Sequence, residues 1–386
     1  MTIENPIPFG RPQMGQAEID AVVQVLSGPQ LVHGPVAKAF EQRFAARAGA
    51  KHAITVSSCT TGLHLVLHVH DIGPGDEVIV PAMTHVATAN AVEYCRAKPV
   101  FADILPDSGN IDPAHVQSLL TPATRAIIPV HYLGLPCDMD RLEALARPAN
   151  AFLLEDCALA LDADYDGRKA GTLGLAGTFS FYPAKHMTTA EGGMIITDDD
   201  NLAQRLGRAK AFSYDRGLGE RTKPGIYDVV GLGFNYRMSE VHAAIGLAQM
   251  DRLDEIQKVR ARNYAALRDS LAGLDEVTVF APQQGKARSS HYCLNAILPH
   301  DRSIDRDAVV QSLNAQGIGT SVHYPSAVPL FTFYREKYGY RPGQFPVAEW
   351  MAEQTISLPV GPHLHDGDPE RIGAAMKTAI MQAKRQ

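Results

Sequence analysis

Short, largely apolar runs alternate with helical segments along the first half of the chain, and this alternation narrows the fold more than any other feature. The runs at 53–57, 77–80, 126–131 and 151–156 are too short for helices and carry apolar residues on both faces. A strand of that kind has no solvent side, so it belongs in a sheet covered on both faces. Strong turn signals such as Gly73-Pro74-Gly75-Asp76 separate the runs. The expectation is an α/β fold in which a mostly parallel sheet is sandwiched by helices.

At 386 residues the chain can hold a large core and two domains. A proline- and glycine-rich arm, 1–15, precedes helices at 16–26 and 36–48. In the first of these, apolar residues recur at Ile19, Val22, Val23 and Leu26, the spacing of a helix. Further helices are expected at 61–70, 201–211, 239–250 and 251–271, the last leading into a smaller C-terminal α/β domain. That domain should mix strands near 277–280, 292–298 and 320–323 with helices near 304–315, 346–356 and 368–383. The division expected is 1–250 for the large domain and 251–386 for the small one.

The stretch 177–197, GTFSFYPAKHMTTAEGGMIIT, holds Lys185 between two apolar runs read as buried strands. A lysine shielded at a strand end can lose its proton and become a nucleophile toward a carbonyl compound. Upstream, AFLLED places Asp156 at the carboxyl end of a buried strand, the edge where open α/β sheets gather ligands. A carboxylate there suits the protonated pyridine nitrogen of pyridoxal 5'-phosphate. Each residue alone has an ordinary explanation, a surface lysine or a strand-end acid; together they outline a cofactor site.

Ser57-Ser58-Cys59-Thr60-Thr61-Gly62 joins a strand to a helix, where free backbone N–H groups and the Thr60 hydroxyl could take a phosphate. A plain Ser/Thr cap explains the same residues. Ser180 could add a hydroxyl or simply bond backbone. His64, His68 and His70 form HxxxHxH with metal-like spacing, but no acidic third ligand follows, so no metal is expected. GxGxxG, the P-loop and GxSxG are all missing.

Composition excludes other classes. A net charge of −6 argues against a general nucleic-acid binder. No run approaches the roughly 20 apolar residues of a membrane helix. The first residues lack a signal-peptide pattern, and the five scattered cysteines read as reduced thiols, so a cytoplasmic protein is expected.

The ordered blocks SGPQLVHGP (27–35), AKHAITVSSCTTGLHL (50–65), IGPGDEVIVPAMTHVATANAV (72–92), AIIPVHYLGLPCDMD (126–140), LLEDCALALDA, FSFYPAKHMTTAEGGM, GFNYRMSEVHAAIGL and SLPVGPHL together resemble the DegT/StrS family of pyridoxal-phosphate sugar aminotransferases. The likeness runs over nearly the whole chain. It implies the fold type I architecture of aspartate aminotransferase and a homodimer with shared active sites. By resemblance, Lys185 bonds the cofactor and Asp156 holds its ring nitrogen protonated. Thr60, Ser180 and the Cys59 amide cradle the phosphate, and Asn235 reaches the phosphate of the neighbouring subunit's cofactor. Tyr182, His186, His323 and Tyr324 lie near substrate, whose contacts are expected on loops around 28–34, 182–187, 213–233 and 323–330. The resemblance also implies L-glutamate as donor and a keto group, at C4 or else C3, of a nucleotide-linked deoxy sugar as acceptor.

Three positions depart from the family's usual residues: Cys59 for glycine in the phosphate turn, His85 for the aromatic ring stacked on the cofactor, and Leu159 for a polar residue. The alternatives are a sugar dehydratase, which in some relatives carries histidine at the lysine position, a non-catalytic regulatory protein on this scaffold, and a metal-dependent hydrolase built on the three histidines.

Overall fold

The computed structural model describes residues 5–215 and 226–384. Among the described residues fourteen strands form three sheets. In the large sheet are β1 (His52–Val56), β2 (Glu77–Pro81), β3 (Lys98–Ala102), β4 (Thr124–Ile127) and β5 (Phe152–Asp156). Two very short strands, β6 (Asp164–Tyr165) and β7 (Arg168–Lys169), follow before β8 (Ala176–Ser180) and β9 (Gly193–Thr197) rejoin it. Its order is β1-β9-β8-β5-β4-β2-β3.

From β3 through β2, β4 and β5 to β8 every pairing is parallel, whereas β9 runs antiparallel to both β8 and β1. The reason lies in the 181–192 connection. It contains no crossover helix, which a parallel return would need. The helices Cys59–Val69 and Val86–Tyr94 cover the core of Val56, Leu63, Val66, Val80, Met83 and Leu154. On the other side, Phe40 and Phe44 of the helix Pro35–Ala48 pack with Phe179 and Phe181. Burying each such aromatic or aliphatic side chain contributes about 1.5–3 kcal/mol.

The C-terminal part builds a second sheet from β10 (Thr278–Val279), β13 (Leu294–Ile297) and β14 (Thr355–Leu358). The intervening β11 (Gln283–Gln284) and β12 (Ala287–Arg288) pair instead with β6 and β7. The helices Leu253–Leu271, Arg306–Ala315 and Asp368–Ala383 supply Leu267, Leu271, Val309, Leu313, Ile372 and Met376 to its core. The chain between, with Val328, Tyr334, Phe345 and Met351, packs back on the core of the large sheet.

Two local expectations fail. A strand at 320–323 is reduced to a single bridge between Ser321 and Ser357, while β14 begins directly after the helix Pro346–Gln354, where a longer helix was expected. The run Thr355-Ile356-Ser357-Leu358 pairs in register with the strand at 294–297, and that pairing overrides the helical spacing. In the helix Gln16–Leu26 the apolar stripe faces out: Ile19 is 53% exposed and Leu26 60%, while Glu18 is buried. Glu18 accepts hydrogen bonds from the Gly15 amide at 2.7 Å, Gln249 Nε2 at 2.7 Å and Arg252 Nη2 at 2.6 Å. Burial works against its charge, yet these donors hold its carboxyl below the ordinary range.

Candidate active site

Lys185 sits in the β8–β9 connection, where its amide donates to the Tyr182 carbonyl at 2.9 Å. The connection is closed by Phe181 bonding the Gly192 carbonyl and by Thr188 Oγ1 bonding the Phe181 carbonyl. Lys185 Nζ lies 5.2 Å from the centre of the Tyr292 ring. Burial lowers the pKa of its ammonium, against an opposing pull from Cys59, Asp156 and Cys293. That favours the free amine a nucleophile needs. Beneath the loop, buried Arg260 donates to the Tyr292 carbonyl at 2.9 Å and to the Lys185 carbonyl at 3.4 Å.

Asp156 closes β5 and is buried. Its Oδ2 accepts from Thr88 Oγ1 at 2.8 Å and its Oδ1 from the Ala158 amide at 3.1 Å. Thr88 in turn bonds the Thr84 hydroxyl at 2.9 Å. Its neighbour Glu155 points to the opposite face of the strand, as alternation requires. There it accepts the Gly171, Leu173 and Gly174 amides, each at 2.7 Å, and His131 Nε2 at 2.9 Å. His131 Nδ1 accepts the Cys137 amide, so both ring nitrogens are used. His131, Glu155 and Cys157 lie close enough to resemble a metal site, but the histidine and carboxylate already hold the strand that presents Asp156.

The turn before the helix Cys59–Val69 is capped by Ser58, whose Oγ accepts the Thr61 amide at 3.1 Å. This leaves Cys59 and Thr60 at the N-terminal turn, whose first amides have no partner within the helix. Gly193 packs directly against it; a Cβ there would stand 2.5 Å from the Ser58 carbonyl carbon and 2.6 Å from the Cys59 nitrogen. Because β8 and β9 pair Ser180 with Gly193, Ser180 comes to the same turn. The Cys59 thiol points inward, 3.4 Å from Thr178 Oγ1 and 3.9 Å from Asp156 Oδ1, so it fills space under the turn rather than crowding its amides. Burial and Asp156 push its pKa well up and keep it a thiol.

His85 caps the helix Val86–Tyr94, its Nδ1 accepting the Ala87 amide at 3.2 Å, and its ring lies 5.9 Å from that of Tyr324. Burial and Lys185 lower its pKa, with Asp156 opposing. His323 is 5.3 Å from Tyr324 and 5.6 Å from Tyr292, ring to ring, so both belong to the Lys185 surroundings. Tyr182 is half exposed, near Tyr292. His186 turns the other way. It is buried with Nε2 bonded to the Ser290 carbonyl at 2.9 Å, and it supports the loop from beneath in place of the expected substrate contact. Leu159 is buried, and its carbonyl accepts the Ser290 hydroxyl.

Asn235 is exposed, bridged to Ala211. The flanking Phe234 and Tyr236 rings stack 4.8 Å apart and engage the histidine pair. His64 Nδ1 bonds Tyr236 Oη at 2.9 Å and His68 Nε2 bonds the Leu232 carbonyl at 3.0 Å. His70 lies against Phe152 instead. The three histidines therefore pack segments together and form no common ligand set. Residues 216–225 of the expected 213–233 loop lie outside the described residues.

Thr88, Tyr292 and Arg260 escaped the sequence reading. Thr88 could have been found from the helical spacing Thr84/Thr88 beside a strand end; the other two come from distant segments and left no local signal.

A sequence match to the DegT/DnrJ/EryC1/StrS aminotransferase family spans residues 12–377. The chain belongs to this family. It is 36% identical over 384 residues to the spore coat polysaccharide biosynthesis protein SpsC of Bacillus subtilis, covering 98% of each. Among solved structures it is similar to the PMP form of the sugar aminotransferase Spr1654 from Streptococcus pneumoniae, with a TM-score of 0.92 at 27% identity, covering 97% of this chain and 99% of that one. It is also similar to DesI solved with its TDP-sugar product, with a TM-score of 0.88 at 34% identity, covering 98% and 94%. The fold is that of the fold type I enzymes, and the protein is a pyridoxal-phosphate-dependent sugar aminotransferase.

The residues present fit that cofactor. An amide-lined turn that excludes a Cβ on Gly193 suits a phosphate, a buried carboxylate suits a ring N–H, and a lysine disfavoured as a cation suits a carbonyl carbon.

Proposed function

We propose that the enzyme moves an amino group from L-glutamate to the C4 keto group of a nucleotide-linked deoxy sugar, with Lys185 as its catalytic residue. The observation that carries this reading is Lys185 and Asp156 gathered about Cys59 and the Ser58–Thr60 turn, with burial lowering the pKa of the lysine ammonium. The retained lysine favours transamination over the dehydratase alternative and over a regulatory protein without chemistry.

In this reading Thr60, Ser180 and the Cys59 amide hold the cofactor phosphate, and His85 covers the ring. Bound there, the cofactor supplies an electron sink for the carbanion left when the donor loses a proton. Asp156 pairs with the ring nitrogen, and the Thr88 and Ala158 donors keep Asp156 oriented. Lys185 Nζ, as the free amine, takes the proton from the donor's α-carbon and returns one to the sugar carbon in the second half-reaction. Tyr182, His323 and Tyr324 face the acceptor. The cofactor-binding part is residues 1–250 and the smaller part 251–386.

We also infer a homodimer in which Asn235 reaches the partner's cofactor phosphate. Its support is the apolar surface left open on one chain: Ile19, Val23 and Leu26, and Val229, Val230 and Leu232 beside Asn235 are all more than half exposed. Among the described residues no helix is long and apolar enough to cross a membrane.

The test is the visible absorption of the cofactor-loaded protein before and after L-glutamate, followed by a keto-sugar screen with NMR of the product. A band that fades with glutamate and returns with the sugar is expected, and a band indifferent to glutamate contradicts the donor. An amine at C3 in the product would contradict the C4 assignment.

A further inference from the structure

Hydrogen-bond directions run in a closed circuit around His323, and each step fixes the next. The His323 carbonyl can only accept, so Tyr132 Oη donates to it. Having spent its one proton, Tyr132 Oη must accept, and it takes Asn295 Nδ2 at 3.0 Å. That orients the Asn295 amide with Oδ1 toward Ser357 Oγ, which donates to it at 2.7 Å. Ser357 has then also spent its proton. Its Oγ lies 2.8 Å from His323 Nδ1 and can only accept from it. The proton of the neutral imidazole is therefore on Nδ1.

We propose that this buried Ser357–Asn295–Tyr132 relay locks His323 in the tautomer with a bare Nε2, and that Nε2 accepts a hydroxyl of the sugar next to the reacting carbonyl.

The relay is rigid. Ser357, Asn295 and Tyr132 are all almost fully buried, and Asn295 and Ser357 are paired partners in adjacent strands β13 and β14. Three aromatic rings wall the imidazole, Phe9 at 5.6 Å, Tyr292 at 5.6 Å and Tyr324 at 5.3 Å. Among the described residues no group bonds Nε2. Burial, with Lys185 and His85 adding to it, lowers the ring's pKa to about 3, so it stays an acceptor wherever the enzyme works. A neutral acceptor discriminates by requiring an O–H or N–H opposite it; an acceptor-only group would meet two lone pairs. His323 is thus a specificity-determining residue, and Ser357, Asn295 and Tyr132 are positioning residues acting through it.

The sugar contact rests on the aminotransferase reading, while the tautomer does not, so two measurements separate them. The first is a long-range 1H–15N spectrum of the cofactor-loaded enzyme labelled at histidine nitrogen, with His323 assigned by its loss in His323→Gln. The expected result is a protonated Nδ1 and a bare Nε2 from pH 5.5 to 8, a mixed tautomer in Ser357→Ala, and restoration in Ser357→Thr. A proton on Nε2, or a cationic ring at pH 7, overturns the lock.

The second measurement is the two half-reactions separately. His323→Phe should raise KM for the keto sugar about tenfold, the effect of one hydrogen bond. The loss should fall on the sugar half-reaction more than on the glutamate one, and His323→Gln, which offers an oxygen near the Nε2 position, should recover most of it. An unchanged sugar KM in His323→Phe overturns the sugar contact and leaves the aminotransferase reading standing. A wild-type enzyme inert in both half-reactions overturns that reading and the contact with it, and the spectrum still judges the lock.

Discussion

Thr88 Oγ1 donates to Asp156 Oδ2 at 2.8 Å, tying the helix after β2 to the last residue of β5. Both residues are buried, so the carboxylate is aimed by a bond that water does not contest.

Replacing Thr88 with Val keeps the shape and removes the donor. Asp156 then loses orientation, and cofactor affinity should fall about tenfold, the worth of one charge-assisted hydrogen bond. The drop is read as the dissociation constant by fluorescence titration. An unchanged constant would show that Thr88 merely packs.

Gly193→Ala puts a methyl 2.5 Å from the Ser58 carbonyl carbon and 2.6 Å from the Cys59 nitrogen, where only backbone can yield. Overpacking of this kind costs about 1–3 kcal/mol. The urea midpoint should fall, and the cofactor should bind more weakly because the turn itself shifts. Gly207→Ala, inside the helix Asp200–Ala209 with nothing within 4 Å of its added carbon, is the control: it should leave cofactor binding unaffected and raise the midpoint slightly.

His64 is buried, and burial followed by His68 lowers its pKa from the ordinary 6.5 to about 4. The unfolded chain therefore binds its proton more readily than the folded one between those values. Stability contributed by neutral His64 is fully present above pH 6.5 and lost as pH falls toward 4, up to roughly 3 kcal/mol. His64→Gln should flatten the pH dependence of urea unfolding across that window. A slope identical to that of the parent would show that His64 does not carry it.

The parallel core was legible because its strands are apolar on both faces, and Lys185 and Asp156 were legible because each closes or follows such a strand. The outward turn of Ile19 and Leu26 was not. An amphipathic helix shows which stripe is apolar but not whether a core or another chain covers it, and two of the three donors to buried Glu18 lie 231 and 234 residues away. His186 misled for a similar reason, since its partner, the Ser290 carbonyl, lies 104 residues on. The polar relay around His323 depends on Tyr132, Asn295 and Ser357, residues whose spacing carries no period.

Lys185 is proposed to be the residue bonded to the cofactor. Reductive trapping with borohydride after loading with pyridoxal 5'-phosphate, followed by peptide mass mapping, tests it directly. A single pyridoxyl label is expected on Lys185, absent in Lys185→Ala, which should still fold and should lose all transamination. A label on another lysine, or transamination by the Lys185→Ala protein, would contradict it.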